Sequence, residues 1–136
     1  MEVSAARIDQ ALHEAALARD RAYAPYSRFK MGAAVLTDVD SLMLGSLVEN
    51  VSFGLTMCAE RVALAGTVAM DAGRPRVLAL VAPATAGALT WPCGACLQVA
   101  IELGGPELLV VVSDGADKRG EALVRELAGR LPFTGL

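Results

Sequence analysis

The run V-L-A-L-V-A, Val77 to Ala82, is followed by P-C-G-A-C-L-Q-V-A-I-E-L, Pro92 to Leu103, and then by L-L-V-V-V, Leu108 to Val112. The first and last of these are short, continuous and apolar, as expected of strands buried on both faces. Cys93 to Leu103, between them, reads as a helix. Working outward, Ser4 to about Tyr23 is expected to be a helix with Ile8, Leu12 and the alanines at 11, 15, 16 and 22 inward. A turn at Ala24 to Ser27 follows. Phe29 to Thr37 and Leu42 to Glu49 read as two strands around the polar tip Asp38 to Ser41. Residues 58–72 are apolar on nearly every side, which predicts a central, buried helix. Asp114 to Glu121 reads as a solvated loop, and Glu121 to Leu131 as a closing helix. This order predicts an α/β chain, a mixed sheet covered by helices on both faces, in one domain spanning residues 1–136.

On this reading all three cysteines of the chain stand at helix amino termini. Cys58 opens C-A-E-R, with Glu60 two residues on, and Cys93 and Cys96 form a C-x-x-C pair. Three thiolates from two segments can hold one tetrahedral zinc and leave its fourth position to water, which separates a catalytic site from a closed one. A closed structural site would need His13, the only histidine, as its fourth ligand. The carboxylate of Glu60 is placed to handle protons for water at the metal. Three thiolates and a divalent ion sum to one negative charge. Two helix amino termini and Arg61 would offset it, keeping the ion acidic.

Composition narrows the partners. A formal charge of −3 argues against a nucleic-acid groove, which needs clustered Lys and Arg. Aromatic residues are 4% of the chain, too few for a base-stacking platform, so a small-molecule substrate is expected. No signal-like segment opens the chain, and Val77 to Leu89 is too broken to span a membrane. An odd number of free thiols suits a reducing cytoplasm. At 54% hydrophobic residues, the chain has more apolar surface than it can hide alone, which predicts a homo-oligomer.

Five segments together carry a resemblance: Y-A-P-Y-S-R-F (Tyr23 to Phe29) with the following M-G-A-A-V-L, V-E-N-V-S-F-G-L-T (Val48 to Thr56), C-A-E-R (Cys58 to Arg61) and P-C-G-A-C-L-Q (Pro92 to Gln98). The chain resembles the small cytidine deaminases that act on free nucleosides. That resemblance implies a three-layer αβα fold, usually a homotetramer, with one zinc per subunit on Cys58, Cys93 and Cys96. It implies hydrolysis of a pyrimidine amino group to a carbonyl, with Glu60 moving a proton from water to the ring nitrogen and later protonating the departing ammonia. Ala59 (or Cys58) would hold the polar edge of the base through its backbone. Phe29 matches an aromatic packed on the ring, and Glu49 a carboxylate that receives a sugar hydroxyl. Phe133 matches a late aromatic reaching a neighbouring subunit's site.

Three positions depart from the family pattern. Leu47 stands where an Asn usually helps Glu49, so half of a hydroxyl clamp is missing. Trp91 precedes Pro92 where a small residue is common, and Leu97 replaces an Arg. The reaction that the resemblance implies is deamination of cytidine and deoxycytidine. Leu47 and Trp91 also leave open a free aminated base, an s-triazine-like ring or a cytosine nucleoside antibiotic of the blasticidin type. A zinc-stabilised binding protein without turnover, and polynucleotide editing, are the remaining readings.

Overall fold

A computed structural model describes residues 3–135 and gives ten elements. Helix α1 (Ala5–Asp20) is followed by strands β1 (Gly32–Thr37) and β2 (Leu42–Ser46), and a single 3-10 turn covers Phe53–Leu55. Helix α2 (Ala59–Ala69), strand β3 (Pro75–Val81), helix α3 (Gly94–Gly104) and strand β4 (Leu109–Ser113) come next. Strand β5 (Arg119–Leu123) and the short helix α4 (Val124–Ala128) close the chain. The sheet order is β2-β1-β3-β4-β5. Only β3 and β4 run parallel, joined through α3, and the other neighbours are antiparallel.

The expected three-layer α/β architecture is present. Alternate residues of the central strands face opposite layers, as strand geometry requires. Val35, Leu78, Leu80, Val110 and Val112 pack with Ala63, Leu64, Ala100 and Ile101 of α2 and α3. On the other face, Ala34, Ala79 and Val81 meet Ala11 and Ala15 of α1, and Leu36, Val77 and Val111 meet Ile8. The alanines of α1 bring its backbone almost onto β1. A Cβ at Gly32 would stand 2.1 Å from the carbonyl oxygen of Ala15, so only glycine fits there.

Several boundaries differ from the sequence reading. Helix α1 ends at Asp20, because Tyr23 leaves it to pair with the β2 exit, donating to the Leu47 carbonyl and accepting from the Glu49 amide. The first strand starts at Gly32 rather than Phe29, and the second stops at Ser46 rather than Glu49. Helix α2 is not buried all round. Ala59, Glu60, Ala63, Leu64 and Thr67 face inward, while Val68 and Met70 are exposed.

The largest correction lies at the carboxy-terminal end. The last three residues of the expected loop at 114–121, and the start of the expected helix at 121–131, are strand β5. Arg119 and Glu121 face solvent and Gly120 and Ala122 turn inward, a period of two that completes the open edge of β4. The helix that remains is the five residues of α4. Among the described residues no helix is long and apolar enough to cross a membrane.

Candidate active site

The amino termini of α2 and α3 meet at one end of the sheet. Cys58 is the N-cap of α2 and Cys93 the N-cap of α3, and neither end has a side-chain cap bond. The first-turn amides of both helices therefore keep their partial positive charge facing the sulfurs. Cys96 lies one turn into α3 and is fully buried, Cys58 is half-buried and Cys93 is exposed. Their three Sγ atoms lie within 4.8 Å of one another, with Cys93 and Cys96 3.5 Å apart. Two thiolates sharing a tetrahedral zinc, each at about 2.3 Å, stand about 3.8 Å apart. The sulfurs are grouped closely enough to share one such ion.

Close packing behind α2 fixes this geometry. A Cβ at Gly45 of β2 would lie 2.2 Å from the Ala59 carbonyl oxygen and 2.6 Å from the Ala63 amide. Glycine there lets the strand press on the first turn of α2, which holds Cys58, Ala59 and Glu60 in place. The sequence reading passed over Gly45, although a glycine inside a strand is the usual mark of close backbone approach.

Glu60 is the unusual group. Its side chain is 1% exposed, and its Oε1 has no hydrogen-bond partner. Burial pushes its carboxyl up to about 7, with the charge of Cys58 adding to the effect and its own backbone amide opposing it. A carboxylate poised near neutrality is suited to taking and returning protons. The Cys58 thiol is pushed down to about 5, first by its hydrogen bond with Cys96, against burial, and then by Arg61. Cys96 shifts upward through that same bond and through burial, so Cys58 ionises before it. Arg61 donates from Nη2 to Cys58 Sγ at 3.3 Å, and its guanidinium is held more firmly protonated by that contact. A zinc ion among the sulfurs would require all three as thiolates.

A second cluster lies on the loop before β1. Glu49 Oε1 accepts from the amides of Tyr26 (3.0 Å) and Ser27 (3.2 Å), and Oε2 accepts from the Ser27 hydroxyl (2.5 Å). The Ser27 hydroxyl in turn accepts from the Phe29 amide at 3.0 Å. Between them Arg28 sits at φ 59°, the left-handed region that a non-glycine residue enters only when its surroundings hold it. Glu49 thus holds the loop that carries Phe29. The Ser27 hydroxyl is the largest influence lowering the Glu49 carboxyl, followed by burial in the opposite sense and then by the two amides.

The family model of the cytidine and deoxycytidylate deaminase zinc-binding region matches residues 6–112. The chain belongs to this family. A cytidine deaminase of Halalkalibacterium halodurans is 42% identical over 116 residues, spanning 85% of this chain and 86% of that one. A cytidine deaminase of Mycobacterium tuberculosis is 47% identical over 89 residues, and that match spans 65% of each chain, a little under two thirds. The crystal structure of the cytidine deaminase from Burkholderia pseudomallei superposes with a TM-score of 0.83 at 40% identity, covering 90% of this chain and 97% of that one. The family model is of a zinc-binding region, and the three cysteines form a cluster that could hold such an ion.

The other expected site residues of the deaminase domain fall in different places. Phe29 is partly buried against the zinc-side core, and Ala59 is buried in the first turn of α2. Leu47 is 5% exposed, and its backbone bonds to Met31 and Tyr23. Leu97 is also part of the core. Trp91 lies against the edge strand: a Cβ at Gly120 would be 3.0 Å from its ring. Phe133 sits at the opposite end of α3 from Cys93, beside Gly105, where the preceding Pro132 carbonyl accepts from Gln98. His13 is exposed on α1, across the sheet from the sulfurs, and is not among the converging ligands.

Proposed function

We propose that the chain hydrolyses cytidine and deoxycytidine to uridine and deoxyuridine, releasing ammonia. The observation that carries this reading is the buried carboxylate of Glu60, with one oxygen unpartnered, beside three sulfurs that could hold one zinc. Cys58, Cys93 and Cys96 would hold the zinc, which would supply a Lewis acid able to make water acidic near neutral pH. Glu60 accepts the proton that water loses and passes it to the ring nitrogen of the pyrimidine. It then moves the second proton of that water, released as the carbonyl forms, to the departing amine. Water supplies the new carbonyl oxygen, and the amino group leaves as ammonia. Arg61 keeps the thiolate side of the site from accumulating negative charge.

Recognition is read from the second cluster and from α2. Phe29 packs on the ring, and the remaining lone pair of Glu49 takes a sugar hydroxyl. Ala59, in the uncapped first turn of α2, offers its amide to the polar edge of the base. Leu47 and Trp91 shape the pocket from the β2 exit and the loop before α3. The exposed faces of α2 and α3 form an apolar groove of about 500 Å3 lined by Ala65, Val68, Ala69, Val99 and Leu103. Val51, Phe53 and Leu55, in the segment that leads to Cys58, are exposed. These surfaces support a homotetramer, in which Phe133 reaches a neighbour's site because it is remote from its own. All the described elements serve one sheet, which supports one zinc-dependent domain over residues 1–136. Function in cytoplasmic pyrimidine salvage follows from the same reading.

An ammonia-release screen of the zinc-loaded protein over cytidine, deoxycytidine, cytosine, amino-triazines and blasticidin-type nucleosides tests the proposal. The two nucleosides should be the best substrates. Release from a free base or triazine with none from cytidine would overturn the substrate assignment, and release from none of them would overturn the activity.

A further inference from the structure

Cys93 is an exposed zinc ligand at the end of a long, open loop. Residues 84–88 of that loop are all exposed. Its internal ties are few: Thr85 and Ala88 exchange backbone hydrogen bonds, the Thr85 and Thr90 hydroxyls share a hydrogen bond at 2.6 Å, and the Thr90 hydroxyl donates to the Pro83 carbonyl at 2.6 Å. Something must nonetheless hold the sulfur to within a fraction of an ångström, because ligand geometry sets metal affinity.

Trp91, two residues before Cys93, is the side chain placed to do so. It packs with Leu89 on the zinc-side core. Its ring rests on Gly120 of β5, where an added Cβ would meet Trp91 Cζ2 at 3.0 Å, Leu89 Cδ1 at 3.1 Å and Trp91 Cη2 at 3.2 Å. Gly120 pairs with Val112, which faces the same core, so the missing side chain opens a seat on that layer. A large, flat ring with two rotatable bonds fills such a seat at little entropic cost.

We infer that Trp91 is a positioning residue, seated on Gly120, that ties the Pro92–Cys96 segment to the edge of the sheet and holds Cys93 for zinc. This goes beyond the deaminase reading. It concerns metal affinity alone and does not depend on which ring is hydrolysed.

The test uses the fact that Trp91 is the only tryptophan in the chain, so its emission reports this seat alone. Gly120→Val suits the experiment, because a β-branched residue favours the strand and disturbs the fold mainly by displacing the ring. Zinc affinity is measured by competition with a chromophoric chelator, alongside tryptophan emission and far-ultraviolet circular dichroism. Gly120→Val should shift the emission to the red and weaken zinc binding by about tenfold or more, the range for groups that orient ligands. Trp91→Ala should weaken zinc equally, and Trp91→Phe should recover most of the loss. Unchanged emission in Gly120→Val would show that the ring does not sit there. Unchanged zinc affinity in both Gly120→Val and Trp91→Ala would reduce Trp91 to a surface filler. If Gly120→Val fails to fold, the alanine and phenylalanine pair decides alone. A variant set that moves zinc affinity in a protein that deaminates nothing would sink the proposed reaction and leave this inference standing.

Discussion

The two ends of the substrate region are built on opposite electrostatic principles. At the zinc end, Glu60 is buried with an oxygen that no protein group satisfies, among sulfurs and uncapped helix ends. At the Glu49 end, a more exposed carboxylate already accepts three hydrogen bonds from its own chain. Groups left wanting a partner are poised to react, because any proton or cation that arrives is strongly held. Groups already satisfied hold shape, and a ligand adds one contact to a finished frame. On this reading the zinc end decides the rate and the Glu49 end decides the fit.

Removing a zinc ligand should break the contrast most completely. Cys58→Ala is expected to purify without bound zinc and to release ammonia only at background level, as metal analysis beside the ammonia assay would show. Stoichiometric zinc with retained turnover would rule out the three-sulfur site. Next in size is Gly45→Ala, whose added methyl meets backbone atoms of α2 that cannot step aside. It should cost about 1–3 kcal/mol in urea unfolding, the usual penalty for overpacking. No loss would mean that β2 does not press on Cys58 and Glu60.

Ser27→Ala probes the satisfied end. The hydroxyl holds the Glu49 carboxyl below its usual range, so the wild-type carboxylate stays charged to lower pH. Without it the Glu49 pKa rises and protonation begins at higher pH. The acid-side increase in KM for cytidine should therefore start at higher pH in the variant, with kcat near neutrality little changed. A KM profile that does not move would separate Glu49 from the sugar. The smallest effect belongs far from both ends. Arg7 and Asp40 form an exposed pair at 2.9 Å, and Arg7→Ala should change stability by less than about 1 kcal/mol.

How much of this was legible in the sequence follows from how local each feature is. Cys58 and Glu60, and Cys93 and Cys96, are each set by spacing along one helix start, so the zinc end could be read directly. The apolar runs likewise yielded four of the five strands. Strand β5 did not show itself, because R-G-E-A-L has little apolar character and becomes a strand by pairing with β4. Once β5 is missed, the partner of Trp91 is missed as well, since Gly120 lies on it. The Glu49 bonds to Tyr26 and Ser27 cross more than twenty residues of sequence, and nothing local announces them. Helix α2 looked central because its apolar residues surround it. A single chain does not distinguish residues that face its own core from those, such as Val68, that stay exposed.

The division of labour between the two carboxylates is tested most directly by steady-state kinetics on cytidine for Glu60→Gln and Glu49→Gln, at matched zinc content. Glu60→Gln should lower kcat by about 10²–10⁴-fold, the range for loss of a general acid–base group, with zinc retained. Glu49→Gln should raise KM and largely keep kcat. A Glu60→Gln protein that turns over cytidine at the wild-type rate would contradict the account.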